Sequence, residues 1–368
     1  ILDNNLRTHD RILSIDALRG FDMLLIVFAD KFFIQVDKAI GSQFTHRLAL
    51  QFEHPEWFGS TFYDVVMPLF LFVVGAVMPF SLSKTTIENA RMFNWYKKIL
   101  TRFILLFILG WIVQGNLLAF DPENFFVFNN TLQAIAVGYF FSCLIYIHLD
   151  KKWIYIIFIL CLVFYTLLLT MPMVPGFGKS VLLPGRNFAF YVDHVLFGKY
   201  HDGEQYTWFL SGLGFVATTL SGVMAGELIN SKRTQQQVVL NLLLFGIAGL
   251  LLGSLLGMWH PIVKKIWTSS FVLASSGLCF ILLSIFYWII DVKKYIRWSF
   301  PFRVIGINAI TAYVISHLVS FPTIAKFFLF GLEQYTGAYY NMLTIIGGFG
   351  ILYLLLWYMY RNKTFIKV

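Results

Sequence analysis

The stretch Gln51–Phe80, QFEHPEWFGSTFYDVVMPLFLFVVGAVMPF, decides how the rest of the chain is read. Its second half is an apolar run long enough to enter a bilayer, and it carries a carboxylate, Asp64, one turn before Pro68. Its first half is a short polar lip holding His54, followed by Trp57 and Gly59. A polar group set against hydrocarbon is costly unless it is paired or faces a wet cavity. The preceding apolar run, Leu18–Val36, repeats the arrangement with Asp22, Asp30 and Lys31. Two consecutive membrane helices with carboxylates, joined by a histidine loop, predict a reaction site within the membrane rather than an anchor.

The remainder of the chain agrees. It is 58% hydrophobic and 13% charged, where a soluble domain carries about 25% charge. Ten apolar runs read as spans: 18–36, 62–82, 99–118, 131–149, 153–171, 207–229, 238–257, 267–290, 302–320 and 341–360. The first is too long for the apolar core of a cleaved leader. Phe321–Leu332 is too short to cross and reads as interfacial or re-entrant. The expectation is an all-α, polytopic transmembrane bundle forming a single domain over residues 1–368.

Orientation follows from the cations. With both termini in the cytoplasm, sixteen Lys and Arg lie inside and eight outside, the bias expected of cytoplasmic loops. His54 then faces outward. The net charge of +9 is absorbed by those loops, so no nucleic-acid partner is expected. Cys143, Cys161 and Cys279 lie in apolar runs without metal-ligand spacing and read as small core residues.

On an ideal helix at 100° per residue, Asp16, Arg19, Asp22 and Asp30 share an arc of about 120°. Asp16 and Asp22 flank Arg19 as an ion-pair cluster, whereas Asp30 has no cation on its own face and reads as functional. Ser60, Asp64, Pro68 and Gly75 fall on one narrow face of the second helix and predict a pocket. His54 alone would be an ordinary loop histidine. Beside these groups it reads as a proton acceptor, with Asp30 placed to hold its tautomer.

Trp259–Trp267, WHPIVKKIW, is either an interfacial aromatic belt with snorkelling Lys264 and Lys265 or an anion clamp. Asn308 in the ninth run needs a hydrogen-bond partner. The long connection Met171–Tyr206 carries Asn187, Asp193, His194, His201 and Asp202, whose irregular spacing does not suit a metal. There is no phosphate loop, HExxH, CxxC pair or G-x-S-x-G elbow. Soluble NTPase, dehydrogenase and hydrolase chemistries are therefore unsupported.

Three patterns together resemble the transmembrane heparan-alpha-glucosaminide N-acetyltransferase family. Arg11, Ser14, Asp16, Arg19 and Gly20 resemble the R-x-x-S-x-D-x-x-R-G opening shared with the wider transmembrane acyltransferases. His54, Trp57, Gly59, Asp64, Pro68, Phe70 and Gly75 resemble H-x-x-W-x-G followed by D-x-x-x-P-x-F-x-F-x-x-G. Lys264, Trp267 and Ser270, then Gly306 and Asn308, resemble K-x-x-W-x-x-S and G-x-N.

The resemblance implies transfer of an acetyl group from cytosolic acetyl-CoA across the membrane to the amine of an amino sugar. His54 is the matched catalytic residue. Asp30 stands where the lysosomal enzyme has Asn, Ala134 where the family's L-Q-R has Arg, and Val263 where Asn precedes the K-x-x-W lysine. On this reading His54 and Asp30 are catalytic, and Trp57, Asp64, Asn187 and Asp193 hold a glycan acceptor. Arg19, Gln133, Lys264, Trp267, Ser270 and Asn308 contact acetyl-CoA, and no metal takes part. The expected location is a bacterial cytoplasmic membrane, with a homodimer as one possible assembly. The rival reading is a sugar or amine transporter whose path the same polar residues line.

Overall fold

Apolar runs of this length leave the backbone no polar partner but itself, and in hydrocarbon that selects helices. The structure, a computed structural model, describes residues 12–82 and 89–365. Arg11 of the opening motif, and Arg7, Lys84 and Lys367 of the cytoplasmic count, lie outside the described residues. Helix α1 (Leu13–Leu24) runs through a π-helical turn, Leu25–Ala29, into α2 (Asp30–Ile40). A short helix α3 (Gln43–Leu50) leads into the histidine loop. A 3-10 turn, Phe62–Val65, then opens α4 (Val66–Leu82).

Next come α5 (Asn89–Val113), α6 (Thr131–His148) and α7 (Lys151–Thr170). The long connection holds a two-residue hairpin, Met173–Val174 with Gly178–Lys179, and α8 (Phe188–Phe197). Helices α9 (Gly212–Ile229), α10 (Gln235–Gly257) and α11 (Ser269–Tyr287) follow. The C-terminal part comprises α12 (Phe300–Ile307), α13 (Ala309–Leu318), α14 (Phe321–Leu329), α15 (Glu333–Thr336) and α16 (Tyr340–Arg361).

Helices α4 and α9 form the centre and are buried nearly all round. They touch because Gly222 has no side chain: a Cβ there would sit 1.9 Å from the Phe72 carbonyl oxygen. Gly75 is part of this seam, since a Cβ there would lie 2.0 Å from the Thr219 oxygen. Ser60 and Asp64 lie before α4. At Gly75 the face expected to form a pocket is therefore a helix–helix contact. In contrast, α7 and α10 expose Ile159, Leu160, Leu251 and Leu252 at the periphery, as lipid-facing helices do.

Among the described residues, seven helical segments are long and apolar enough to cross a membrane, or eight if Arg297–Ile307 and Ala309–Leu318, bent by 64°, form one broken span. Ten were expected. Two of the expected spans are helical but too charged to qualify: the α1–α2 run carries Asp22, Asp30 and Lys31, and α5 carries Lys97, Lys98 and Arg102. Phe321–Leu329 packs on α16. The π-turn also breaks the 100° phase from which the acidic stripe was drawn, because it adds a residue to the turn. Arg19 pairs with Asp16 at 3.8 Å. Asp22 is buried and feels the charge of Arg19, but neither of its oxygens is hydrogen-bonded among the described residues.

Candidate functional site

The site grows from the start of α4. Thr61 and Asp64 form a capping pair, the Thr61 N–H donating to Asp64 Oδ2 at 2.9 Å. A carboxylate suits a helix N-terminus, where unpaired N–H groups concentrate positive potential. The other oxygen, Oδ1, faces His54 Nδ1 at 2.6 Å and Lys264 Nζ at 3.0 Å. The Asp64 side chain is 0% exposed, that of Lys264 14% and that of His54 40%. The buried charge is thus compensated by an ammonium and hydrogen bonds, while the imidazole stays open to an incoming molecule.

This geometry assigns a tautomer. An ionised carboxylate only accepts, so Nδ1 of His54 carries the proton and donates it to Asp64. Nε2 then presents a lone pair, with Lys264 Nζ 3.5 Å away. Burial pushes the Lys264 ammonium below the ordinary lysine value, and the charge of Asp64 opposes that shift.

Three loops hold the cluster together. Gly59, at φ +96°, donates its N–H to the Ile262 oxygen at 2.8 Å and pairs with Val263, joining the histidine loop to the lysine loop. That conformation is one a side chain would strain. Trp57 donates from Nε1 to the Leu182 oxygen at 2.8 Å and packs with Tyr165, Val263 and Ile266. It therefore locks the histidine loop onto the long connection. Lys265 reaches the Glu56 oxygen at 2.7 Å and Gln205 Oε1 at 2.6 Å.

Trp267 and Ser270 brace the turn that carries Lys264. The Trp267 N–H donates to the Lys264 oxygen at 2.9 Å, and Ser270 Oγ to the Pro261 oxygen at 3.2 Å. The Trp267 ring is buried and bonds to Thr218 Oγ1 at 3.2 Å, so it is a core residue, whereas Trp259 is exposed. Of the two readings of this stretch, an aromatic belt with snorkelling lysines or an anion clamp, the inward turn of Lys264 onto the Asp64 carboxylate departs from the first.

Asp30 is not the partner of His54. It lies beside the hydroxyl of Tyr63, whose ring centroid is 5.3 Å from that of His54. Asp30 therefore stands one side chain behind the imidazole, and its Oδ1 has no hydrogen-bond partner among the described residues. The expected His54–Asp30 contact is replaced by His54–Asp64, because Asp64 sits at the base of the loop itself.

Other expected site residues lie elsewhere. Asn187 caps α8, accepting the Phe190 N–H at 2.8 Å. Asp193 accepts the N–H groups of Trp208 and Phe209 at 2.6 and 3.0 Å. Gln133 is buried and holds Val127 and Asn129. Asn308 lies at the break between α12 and α13, buried, with neither amide atom bonded among the described residues. Sequence reasoning passed over Tyr63 and the Thr61–Asp64 cap, although T-x-x-D directly before an apolar run is a legible cap signal.

Fold and apolar helices define an integral membrane protein of the all-α, multi-pass class. Residues 11–115 match a family described as a domain of unknown function, DUF5009. The chain is a distant relative of heparan-alpha-glucosaminide N-acetyltransferase. It is 25% identical to the Homo sapiens protein of that name and 24% identical to the Mus musculus one, each match covering 83% of this chain. It spans about half the length of these curated relatives, 52% and 53% respectively.

Proposed function

We propose that this chain is an integral-membrane N-acetyltransferase that moves an acetyl group from acetyl-CoA to the amine of a glucosamine-type sugar. The observation that carries the reading is His54, half open, oriented through Nδ1 by buried Asp64 and flanked by Lys264. The names of the distant relatives support acetyl transfer and a glucosaminide-type acceptor, and acetyl-CoA as the donor is part of the proposal. A setting in a bacterial cytoplasmic membrane, with His54 on the outer side, is part of the same proposal.

The acceptor ammonium releases one proton to water. As the C–N bond forms at the thioester carbonyl, the second proton passes from the amine to His54 Nε2. It then moves to the departing sulfur as the C–S bond breaks, giving amide and free thiol. Lys264 stabilises negative charge developing on the carbonyl oxygen. Asp64 positions the imidazole. Among residues assigned to the co-substrate, Asn308 suits it best, because its unbonded buried amide matches the amide groups of the pantetheine arm. Gln133, Trp267 and Ser270 are already engaged in holding the fold.

The test is thiol release from acetyl-CoA by the purified protein, offered glucosamine, its glycosides and muropeptide amines. The parent should release thiol with at least one, and His54→Ala should be slower by about 10²-fold or more. A transporter would release none. Parental turnover in a folded His54→Ala protein would overturn the proposal.

A further inference from the structure

A cavity of about 340 Å³ lies between the α1–α2 run, the end of α13, and helices α14 and α16. Its size falls within the range of about 300–1,000 Å³ usual for ligand sites. Its polar lining is Lys31, Ser316, His317 and Ser320. Its apolar lining includes Val27, Ile345, Phe349 and Leu352. Gly348 and Pro322 also line it, where α14 and α16 meet closely. It is distinct from the His54 cluster, from which Tyr63 and Asp30 separate it.

Ser316 Oγ donates to the Tyr313 oxygen at 2.8 Å and Ser320 Oγ bonds to Thr323 Oγ1 at 2.7 Å, so the groups that the fold leaves over are those of Lys31 and His317. The Lys31 ammonium makes no ion pair or hydrogen bond among the described residues. Its sequence neighbour Asp30 bonds to Tyr63 and does not line the cavity, although its charge acts on both Lys31 and His317. His317 bonds to the Tyr313 oxygen through Nδ1 at 2.8 Å and stacks on that ring, which leaves Nε2 over. A cation beside a ring nitrogen suits a phosphate, whose oxygens accept from the ammonium and from an Nε2–H that the anion's own charge favours. The setting of the apolar lining decides what carries it. Phe327, Phe328 and Leu354 expose apolar surface on the outer faces of α14 and α16, so the cavity sits at a lipid-facing edge of the bundle.

We infer that this cavity binds the phosphate head of a bilayer amphiphile, with the phosphate on Lys31 and His317 and a hydrocarbon chain against Val27, Phe349 and Leu352. The phosphate arrives either on a diacyl phospholipid or on a single-chain isoprenyl phosphate carrier.

Titration calorimetry on the purified full chain in an uncharged maltoside detergent tests this. The probes are dioctanoyl-phosphatidylglycerol, farnesyl phosphate, dioctanoylglycerol and inorganic phosphate. At least one phosphate amphiphile should bind, with the tighter of the two identifying the source. Lys31→Gln should weaken it at least tenfold and Phe349→Ala severalfold; His317→Gln serves if Lys31→Gln does not fold. Several results overturn the inference: no binding by either amphiphile, undiminished binding after loss of the polar groups, or equal affinity for dioctanoylglycerol or inorganic phosphate. Because the readout is binding, its failure leaves the acetyl-transfer reading untouched.

Discussion

Lys264 Nζ and Asp64 Oδ1 lie 3.0 Å apart, joining a loop late in the chain to the first turn before α4, on the same oxygen that His54 contacts. Removing either partner leaves the other charge buried without its counterion. We expect Asp64→Asn to cost about 3–5 kcal/mol of stability, as for one partner of a buried pair. Adding Lys264→Met should restore most of that while leaving acetyl transfer absent. Thermal unfolding of the single and double variants in detergent measures the coupling, and additive losses would mean the pair is not interacting.

Asp30 acts, on the geometry, through Tyr63 rather than on His54. Asp30→Asn keeps the shape and hydrogen-bonding capacity, and should retain measurable turnover. Tyr63→Phe should give a similar modest loss, and the double variant should be no worse than either single one. Asp30→Leu should lose activity, since it leaves the Tyr63 hydroxyl facing hydrocarbon. Parental turnover in Asp30→Leu would remove Asp30 from the site.

The long connection should make stability depend on pH. Burial raises Asp193 to about 7 and Asp202 to about 6. Both values lie above those of the unfolded chain, so the folded state holds more protons between about pH 4 and 7. This contribution is present at acid pH and is lost as pH rises through 6 and 7, with a slope of at most about 1.4 kcal/mol per pH unit for each group. Unfolding midpoints of the parent and Asp202→Asn, compared from pH 4 to 8, should agree most closely at the acid end, where Asp202 is as neutral as Asn, and diverge as the pH rises, with the parent's slope the steeper. Parallel curves would show that Asp202 titrates alike in both states.

Orientation is open to direct labelling. A cysteine at Gln43, in the exposed start of α3, should react with an impermeant thiol reagent from outside intact cells. One at Gln236, in the exposed start of α10, should react only after permeabilisation. The reverse pattern would place His54 in the cytoplasm and exclude transfer across the membrane as proposed.

The sequence by itself determined the helical class, because apolar runs in hydrocarbon must satisfy their own backbone groups. It also marked the histidine loop, since a His, a Trp and a Gly beside an intramembrane carboxylate are costly to place without a purpose. It did not determine the number of spans: charge along the α1–α2 run and α5 makes helix and span different questions. Spacing sets the phase of residues only along an unbroken helix, and the π-turn at Leu25–Ala29 breaks it just before Asp30.

Contacts between segments obey no such rule. That Asp64 rather than Asp30 receives His54, and that Lys264 arrives from 210 residues beyond His54, depends on the Gly59–Ile262 bond and on Trp57 seated against Leu182. The same tertiary packing turned Asn187, Asp193, Gln133, Trp267 and Ser270 into caps and braces. A polar residue's type states that it needs a partner, and only the folded neighbourhood decides whether that partner is the chain itself or a substrate.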